Sequence, residues 1–205
     1  MTPNPIPKMT LEEYFEFDKN SEGNFEYFDG ELFEMSGVSR NHSRIERNLT
    51  VRLTPKAFER GCEVFTANLR IKIPTMSLYR YPDLSVVCGR AEFVQIAGLD
   101  CLSNPVLIVE VLSESTEKFD RGNKFREYKS IEGFAEYLLI SSMAVSVTLF
   151  QKHHDRFWLQ SDYSAGESFH LNVLDVDLNV DELYQGVEFS TPDNDYDIGR
   201  VSADA

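Results

Sequence analysis

A chain of 205 residues with 42% hydrophobic residues, 15 Phe and 9 Tyr is long and apolar enough to bury a core without staples, and it reads as one folded domain. The net charge of −14 opposes a nucleic-acid partner, and no apolar run approaches the ~20 residues that a membrane span needs. Cys62, Cys88 and Cys101 form no CxxC pair and stand in no zinc spacing, so they read as three buried thiols in a reducing cytoplasm.

The acidity is unevenly spread. Residues 1–34 carry −7 and residues 175–205 carry −8, which leaves +1 for residues 35–174. Electrostatic arguments apply to local surfaces, so the neutral middle stays open to a polyanion. The opening "MTPNPIPKMTLEEYF" has no charged head followed by an apolar stretch, so no signal peptide is expected.

In chain order, Thr10 and Glu13 form a capping-box pair that opens a short helix through Phe17. "NFEYFDGELFEMS" is two alternating runs around Asp29-Gly30, the strongest hairpin signal in the chain. "NHSRIERNLTVRLTPKAFERG" reads as a helix capped by Ser39 or Asn41, with Ile45, Leu49 and Leu53 inward and Gly61 at its end. Pro55 is expected to kink it or split off its last turn.

Strands are expected near 63–67, 69–73, 83–88 and 106–112. The segment "EKFDRGNKFREYKSI" then reads as a second helix, with Phe125, Tyr128 and Ile131 inward. Alternating runs follow at Tyr137–Ser141, Val145–Lys152 and Arg156–Tyr163, with a short helix near Val180–Tyr184. The expected organisation is a single domain over 1–189 and a frayed acidic tail over 190–205. Helices interspersed among many strands define an α/β or α+β sheet protein.

Two carboxylates stand where burial makes them costly. Asp83 opens Leu84-Ser85-Val86-Val87-Cys88, and Glu110 sits inside Val106–Leu112. If these strands pair, period-two alternation lets both acids point at one spot, where like charges need a cation between them. A hard divalent ion such as Mg²⁺ accepts oxygen ligands of this kind and activates water. The bland alternative, weighed evenly, has Asp83 capping a turn after Pro82 and Glu110 pairing with a basic side chain.

On the second helix, Arg121, Lys124 and Tyr128 share a face beside the apolar stripe, so Lys124 emerges at the edge of the core. Taken alone, it would be an exposed lysine paired with Asp120. On the first helix His42 and Asn48 flank Ile45, and His42 reads as a hydrogen-bonded core-edge residue.

Pro82-Asp83, Glu110 and a nearby lysine resemble the PD-(D/E)XK nuclease superfamily, although Leu112 stands where its lysine would be. From about Thr10 to Glu188 the chain resembles, more specifically, the Uma-two family of restriction-endonuclease-like proteins. The resemblance is carried by Glu26-Tyr27-Phe28-Asp29-Gly30-Glu31, by His42 with Ile45, Asn48 and Leu49, and by Pro82-Asp83. It continues through Glu110-Val111-Leu112-Ser113, Ser115-Thr116, Asp120, Lys124 and Tyr128. Glu114, Leu138 and Ser141 depart from the family's usual residues. The resemblance implies a restriction-endonuclease-like mixed β-sheet flanked by helices, with an additional antiparallel hairpin region, together with Mg²⁺-dependent (or Mn²⁺-dependent) phosphodiester cleavage, a DNA partner, a homodimer and a lysine moved from strand to helix.

The resulting expectation is a cytoplasmic metal-dependent DNA endonuclease without a membrane partner. Asp83, Glu110 and the Val111 carbonyl would hold the metal, Lys124 would act at the scissile phosphate, and His42 and Glu31 would support. Arg121, Arg126 and Lys129 would meet DNA, opposed by the acidic tail. Two other classes remain: an inactive nuclease-fold binding module, which the acidic ends favour, and a phosphoesterase of small substrates, which needs less basic surface.

Overall fold

The computed structural model describes residues 8–21, 23–34, 37–74, 78–96, 98–154 and 157–189. The expected tail over 190–205 lies outside them.

Helix α1 (Leu11–Asn20) starts at the Thr10–Glu13 capping box and runs one turn further than the sequence reading. Strands β1 (Phe25–Phe28) and β2 (Glu31–Glu34) form the expected hairpin. Asp29 and Gly30 both take positive φ, 46° and 89°, the pattern of a type I′ turn. Gly30 is required twice over, because a Cβ there would lie 2.5 Å from the Lys8 Cβ.

Helix α2 (Arg40–Glu59) is capped by the Ser39 side chain, which accepts from the His42 N–H at 3.2 Å. It buries Ile45, Leu49, Leu53 and Ala57 along one stripe, and Gly61 ends it with φ 65°. Of the two outcomes expected at Pro55, a kink or a split last turn, the split does not occur: the helix is unbroken through Glu59. The buried stripe continues through Leu53 and Ala57 on either side of the proline, so both halves of the helix pack on the same core.

Among the described residues the strands fall into two six-stranded sheets and one small hairpin. The second sheet contains β3 (Cys62–Thr66), β6 (Leu84–Cys88), β9 (Leu107–Leu112), β10 (Glu136–Ser141), β11 (Val147–His153) and β12 (Phe157–Tyr163). Its order is β12-β11-β10-β9-β6-β3, and only the β9–β10 pair is parallel. The first sheet adds β4 (Arg70–Ile73), β5 (Leu78–Arg80), β7 (Phe93–Ile96) and β8 (Leu99–Leu102), in the order β2-β1-β5-β4-β8-β7. Sequence reading missed β5, β7 and β8, which are three or four residues long, and the hairpin β13 (Ser168–Leu171) with β14 (Val176–Asn179).

The central strands β6, β9 and β10 of the second sheet are buried on both faces. Leu84, Val86, Leu107, Val109 and Val111 pack on the α2 stripe and on Leu183 of α5 (Val180–Leu183). Ile108, Leu112, Tyr137 and Leu139 face the other way, onto Tyr128, Ile131 and Phe134 and onto Ile71, Ile73 and Leu78 of the first sheet. Burying each such side chain stabilises the fold by about 1.5–3 kcal/mol. A third cluster packs Tyr14 and Phe15 of α1 against Tyr27, Tyr79 and Cys101.

The cysteine reading is corrected. Cys62 and Cys88 are directly opposite in the β3–β6 register and form a disulfide, while Cys101 is free and buried. Pairing across strands, invisible in spacing, brings the two sulfurs together.

Candidate active site

Three residues, Tyr81-Pro82-Asp83, carry the chain from β5 in the first sheet to β6 in the second. This crossing places the end of one sheet against the end of the other. The antiparallel β6–β9 register pairs Leu84 with Val109, and one step outward it sets Asp83 across from Glu110.

Both acids are buried, Asp83 at 7% exposure and Glu110 at 4%. Asp83 Oδ2 accepts the Val111 N–H at 2.6 Å, and Oδ1 lies 2.9 Å from His42 Nε2. Glu110 Oε1 accepts the Tyr128 hydroxyl at 2.8 Å and the Lys124 ammonium at 3.2 Å. Its other oxygen makes no hydrogen bond among the described residues.

The lysine comes from a helix that changes type. The segment runs as α3 (Glu117–Phe119), a π-helical turn (Asp120–Lys124) and α4 (Phe125–Tyr128). Such turns rotate the residues after them relative to those before, and they recur at functional sites. Here Lys124 and Tyr128 both face Glu110, whereas Arg121 turns away from it, donating to Glu117 at 2.7 Å and to Thr148 at 3.1 Å. The expected shared face of Arg121, Lys124 and Tyr128 is thus broken at Arg121.

Lys124 is buried, and its nitrogen also lies 3.4 Å from Glu26 and 3.2 Å from Asp120. The Asp120 oxygen is close enough for an ion pair but makes no hydrogen bond. Glu26 is held in turn by Arg80 at 2.7 Å, and Arg80 reaches Glu127 at 3.1 Å on its other edge. Arg80 is 1% exposed and lies over the Phe119 ring at 4.8 Å.

Charge here is strongly coupled. Burial pushes the Glu110 carboxyl well above the usual carboxylate range; Lys124 opposes the shift, and the neighbouring acids add to it. Burial would lower the Lys124 ammonium, but Glu110, Glu26 and Asp120 outweigh it and hold the lysine charged. Lys124 is therefore the fixed charge of the cluster, because several carboxylates share it. Burial and then the nearby Glu110 raise Tyr128, so it stays a neutral phenol able to donate. Burial opposes protonation of His42, yet its bond to Asp83 and the Asp83 charge raise its pKa overall.

These groups line a cavity of about 1090 Å³ between the two sheets, the start of α2 and the α3–α4 segment. Seven carboxylates line it against three permanent cations, Arg80, Lys124 and Arg126. Among the described residues no group of three or more His, Cys, Asp and Glu side chains is arranged to hold a metal alone. Mg²⁺ needs less, since it takes one or two carboxylates with water and phosphate oxygens. Paired acids from adjacent strands, a free Glu110 oxygen and an excess of negative charge fit a hard divalent cation.

Of the residues singled out in the sequence, Asp83, Glu110, Lys124 and His42 meet in this cavity. Val111 lines it and contributes an N–H to Asp83. Glu31 lines it from an exposed position and touches none of the others. Glu114 lines it too and adds to its acidity. Sequence reasoning gave no site role to Glu26, Arg80, Asp120, Tyr128 or Glu127. Arg80 carried a usable signal, a charge within the aromatic run Tyr79-Arg80-Tyr81 beside Pro82-Asp83.

The fold itself has a counterpart among solved structures. The crystal structure of "a putative nuclease belonging to DUF820" from Anabaena variabilis superposes with a TM-score of 0.68, covering 86% of this chain and 98% of that one at 19% identity. Residues 11–181 match the Uma2 family, described as "Putative restriction endonuclease", and the chain belongs to that family. It is 36% identical over 185 residues to an uncharacterised protein of Synechocystis sp., covering 90% of this chain and 96% of the relative. A second uncharacterised Synechocystis protein is 34% identical over 154 residues, covering 75% of this chain and 86% of that one.

Proposed function

We propose that the protein is a metal-dependent DNA endonuclease that hydrolyses phosphodiester bonds at the Asp83–Glu110–Lys124 cavity. The observation that carries this reading is the convergence of two strand carboxylates and one charged lysine in a cavity with excess negative charge. Asp83, Glu110 and Val111 would hold Mg²⁺ or Mn²⁺, which when bound supplies Lewis acidity and a more acidic water. Lys124 would orient the attacking water or stabilise charge that develops on the phosphate. Tyr128 and Glu26 fix the lysine and Glu110 against each other, and His42 with the Val111 N–H fixes Asp83. DNA as substrate, the metal, a homodimer and one catalytic domain over 1–189 belong to this proposal.

A second reading, an inactive binding module, has one observation in its favour. Lys124 lies within 3.4 Å of three carboxylates, so its charge is already used in pairing. Incubating plasmid DNA with the wild type and with Asp83→Ala, each with Mn²⁺, separates the two. Cleavage by the wild type alone is expected. Equal results for both chains would remove the endonuclease reading.

A further inference from the structure

The cavity by itself repels phosphate, since carboxylates outnumber cations along its wall. A polyanionic substrate therefore needs a cationic hold beside the cavity. The segment expected to supply it does so poorly: Arg121 is paired with Glu117, and Lys129 lies over the Phe125 ring at 4.6 Å.

Helix α2 offers a different surface. Arg40, Arg44 and Arg47 stand at i, i+4 and i+7, on one stripe opposite the buried side chains Ile45, Leu49 and Leu53. Arg40 and Arg47 are exposed and Arg44 is half-buried. None of the three has a carboxylate partner among the described residues: Arg47 bonds only the neutral Asn48 side chain, at 2.9 Å, and Arg44 has a shielded nitrogen with no acceptor. The cations further along are paired, Arg52 with Glu182 at 2.7 Å and Lys56 with Glu59 at 2.9 Å. The nearest acid in the helix, Glu46, is on the core side, where burial and the Asp83 charge raise its pKa.

The stripe begins next to Ser39, which lines the cavity together with His42. Arg126 also lines the cavity, bonded to the Asn123 amide oxygen at 2.7 Å and to no carboxylate among the described residues. Seven residues of helix span about 10 Å, comparable to three base-pair steps of about 3.4 Å each. A row of guanidinium groups on one face of a helix can follow the regular phosphates of a duplex. The row itself contains no aromatic side chain, so it lacks the stacking platform that single strands use.

Resting on the endonuclease reading above, we infer that the Arg40–Arg44–Arg47 stripe of α2 is the contact surface for the phosphate backbone of duplex DNA entering the cavity. The substrate is then a duplex polymer, not a small phosphoester, and the negative total charge is bypassed locally.

The test is the salt dependence of binding to a short DNA duplex, followed by fluorescence anisotropy in EDTA over a range of KCl. Binding should weaken in Arg40→Ala/Arg44→Ala/Arg47→Ala, and the slope of log affinity against log salt should fall by up to about 2.7, at about 0.9 for each phosphate that is no longer neutralised. Arg40→Ala/Arg47→Ala, which leaves half-buried Arg44 in place, should lose up to about 1.8 on the same scale. The control Arg52→Ala/Lys56→Ala/Arg60→Ala removes three cations that are already paired, Arg60 with Asp175, and should keep the wild-type slope. If the wild type binds and cleaves duplex DNA while both arginine variants keep its slope, the stripe is overturned and the cleavage reading stands. A wild type that neither binds nor cleaves a duplex overturns both, and tighter binding of a single strand of equal length overturns the assignment to duplex.

Discussion

Lys124 Nζ lies 3.2 Å from Glu110 Oε1, joining a helix to a strand 14 residues earlier in the chain. A positive charge absent from position 112 of the strand is thereby returned to the strand's carboxylate from another element. If that charge acts on the transition state, Lys124→Ala should lower DNA cleavage by on the order of 10²-fold or more, with a smaller effect on DNA binding. Unpairing the buried acids should also cost about 3–5 kcal/mol of stability. Lys118→Ala, by contrast, should match the wild type in both. Cleavage kinetics and thermal denaturation of the two variants check this, and wild-type cleavage by folded Lys124→Ala would exclude the lysine from the mechanism.

Metal should bind through the paired strand acids. Isothermal titration with Mn²⁺ should show binding to the wild type and its loss in Asp83→Ala and in Glu110→Ala, with circular dichroism reporting a retained fold. Equal Mn²⁺ affinity in all three chains would place any metal elsewhere.

Glu26 gives a stability signature in acid. Burial opposes its ionisation, but Lys124 and Arg80 outweigh burial and hold its pKa below the ordinary 4.5. A depressed folded pKa stabilises the fold above the unfolded value and loses that contribution as pH falls through the folded one. The wild type should therefore exceed Glu26→Gln in melting temperature near neutral pH, with the gap shrinking as pH drops below about 4.5. A gap that stays constant through the acid range would mean that Glu26 does not ionise in the way its partners require.

The disulfide predicts a thiol count. Unfolded without reductant, the chain should take up one alkylating group, at Cys101; after reduction it should take up three. Reduction of Cys62–Cys88 should also lower stability by about 3 kcal/mol, judged by denaturant titration. Three accessible thiols before reduction would show the pair to be open.

The sequence by itself determined the local structure. Thr10 and Glu13 form a reciprocal cap, Asp29-Gly30 adopts the positive φ angles of a tight turn, and the spacing of Ile45, Leu49 and Leu53 turns α2 inward, because each depends on residues within a few positions. It also marked Asp83 and Glu110, since a carboxylate inside an apolar strand is anomalous before any contact is known. Other features were beyond its reach. Strands β5, β7 and β8 are too short to show a period, and the π-helical turn that parts Arg121 from Lys124 leaves no mark in composition. Cys62 meets Cys88, and Arg80 meets Glu26 across 54 residues, only once strand order and register are set. Burial then decided the chemistry: Glu110, Glu26 and Asp120 share one ammonium because two sheets and a helix exclude water from the point where they meet, and only the packed chain defines that point.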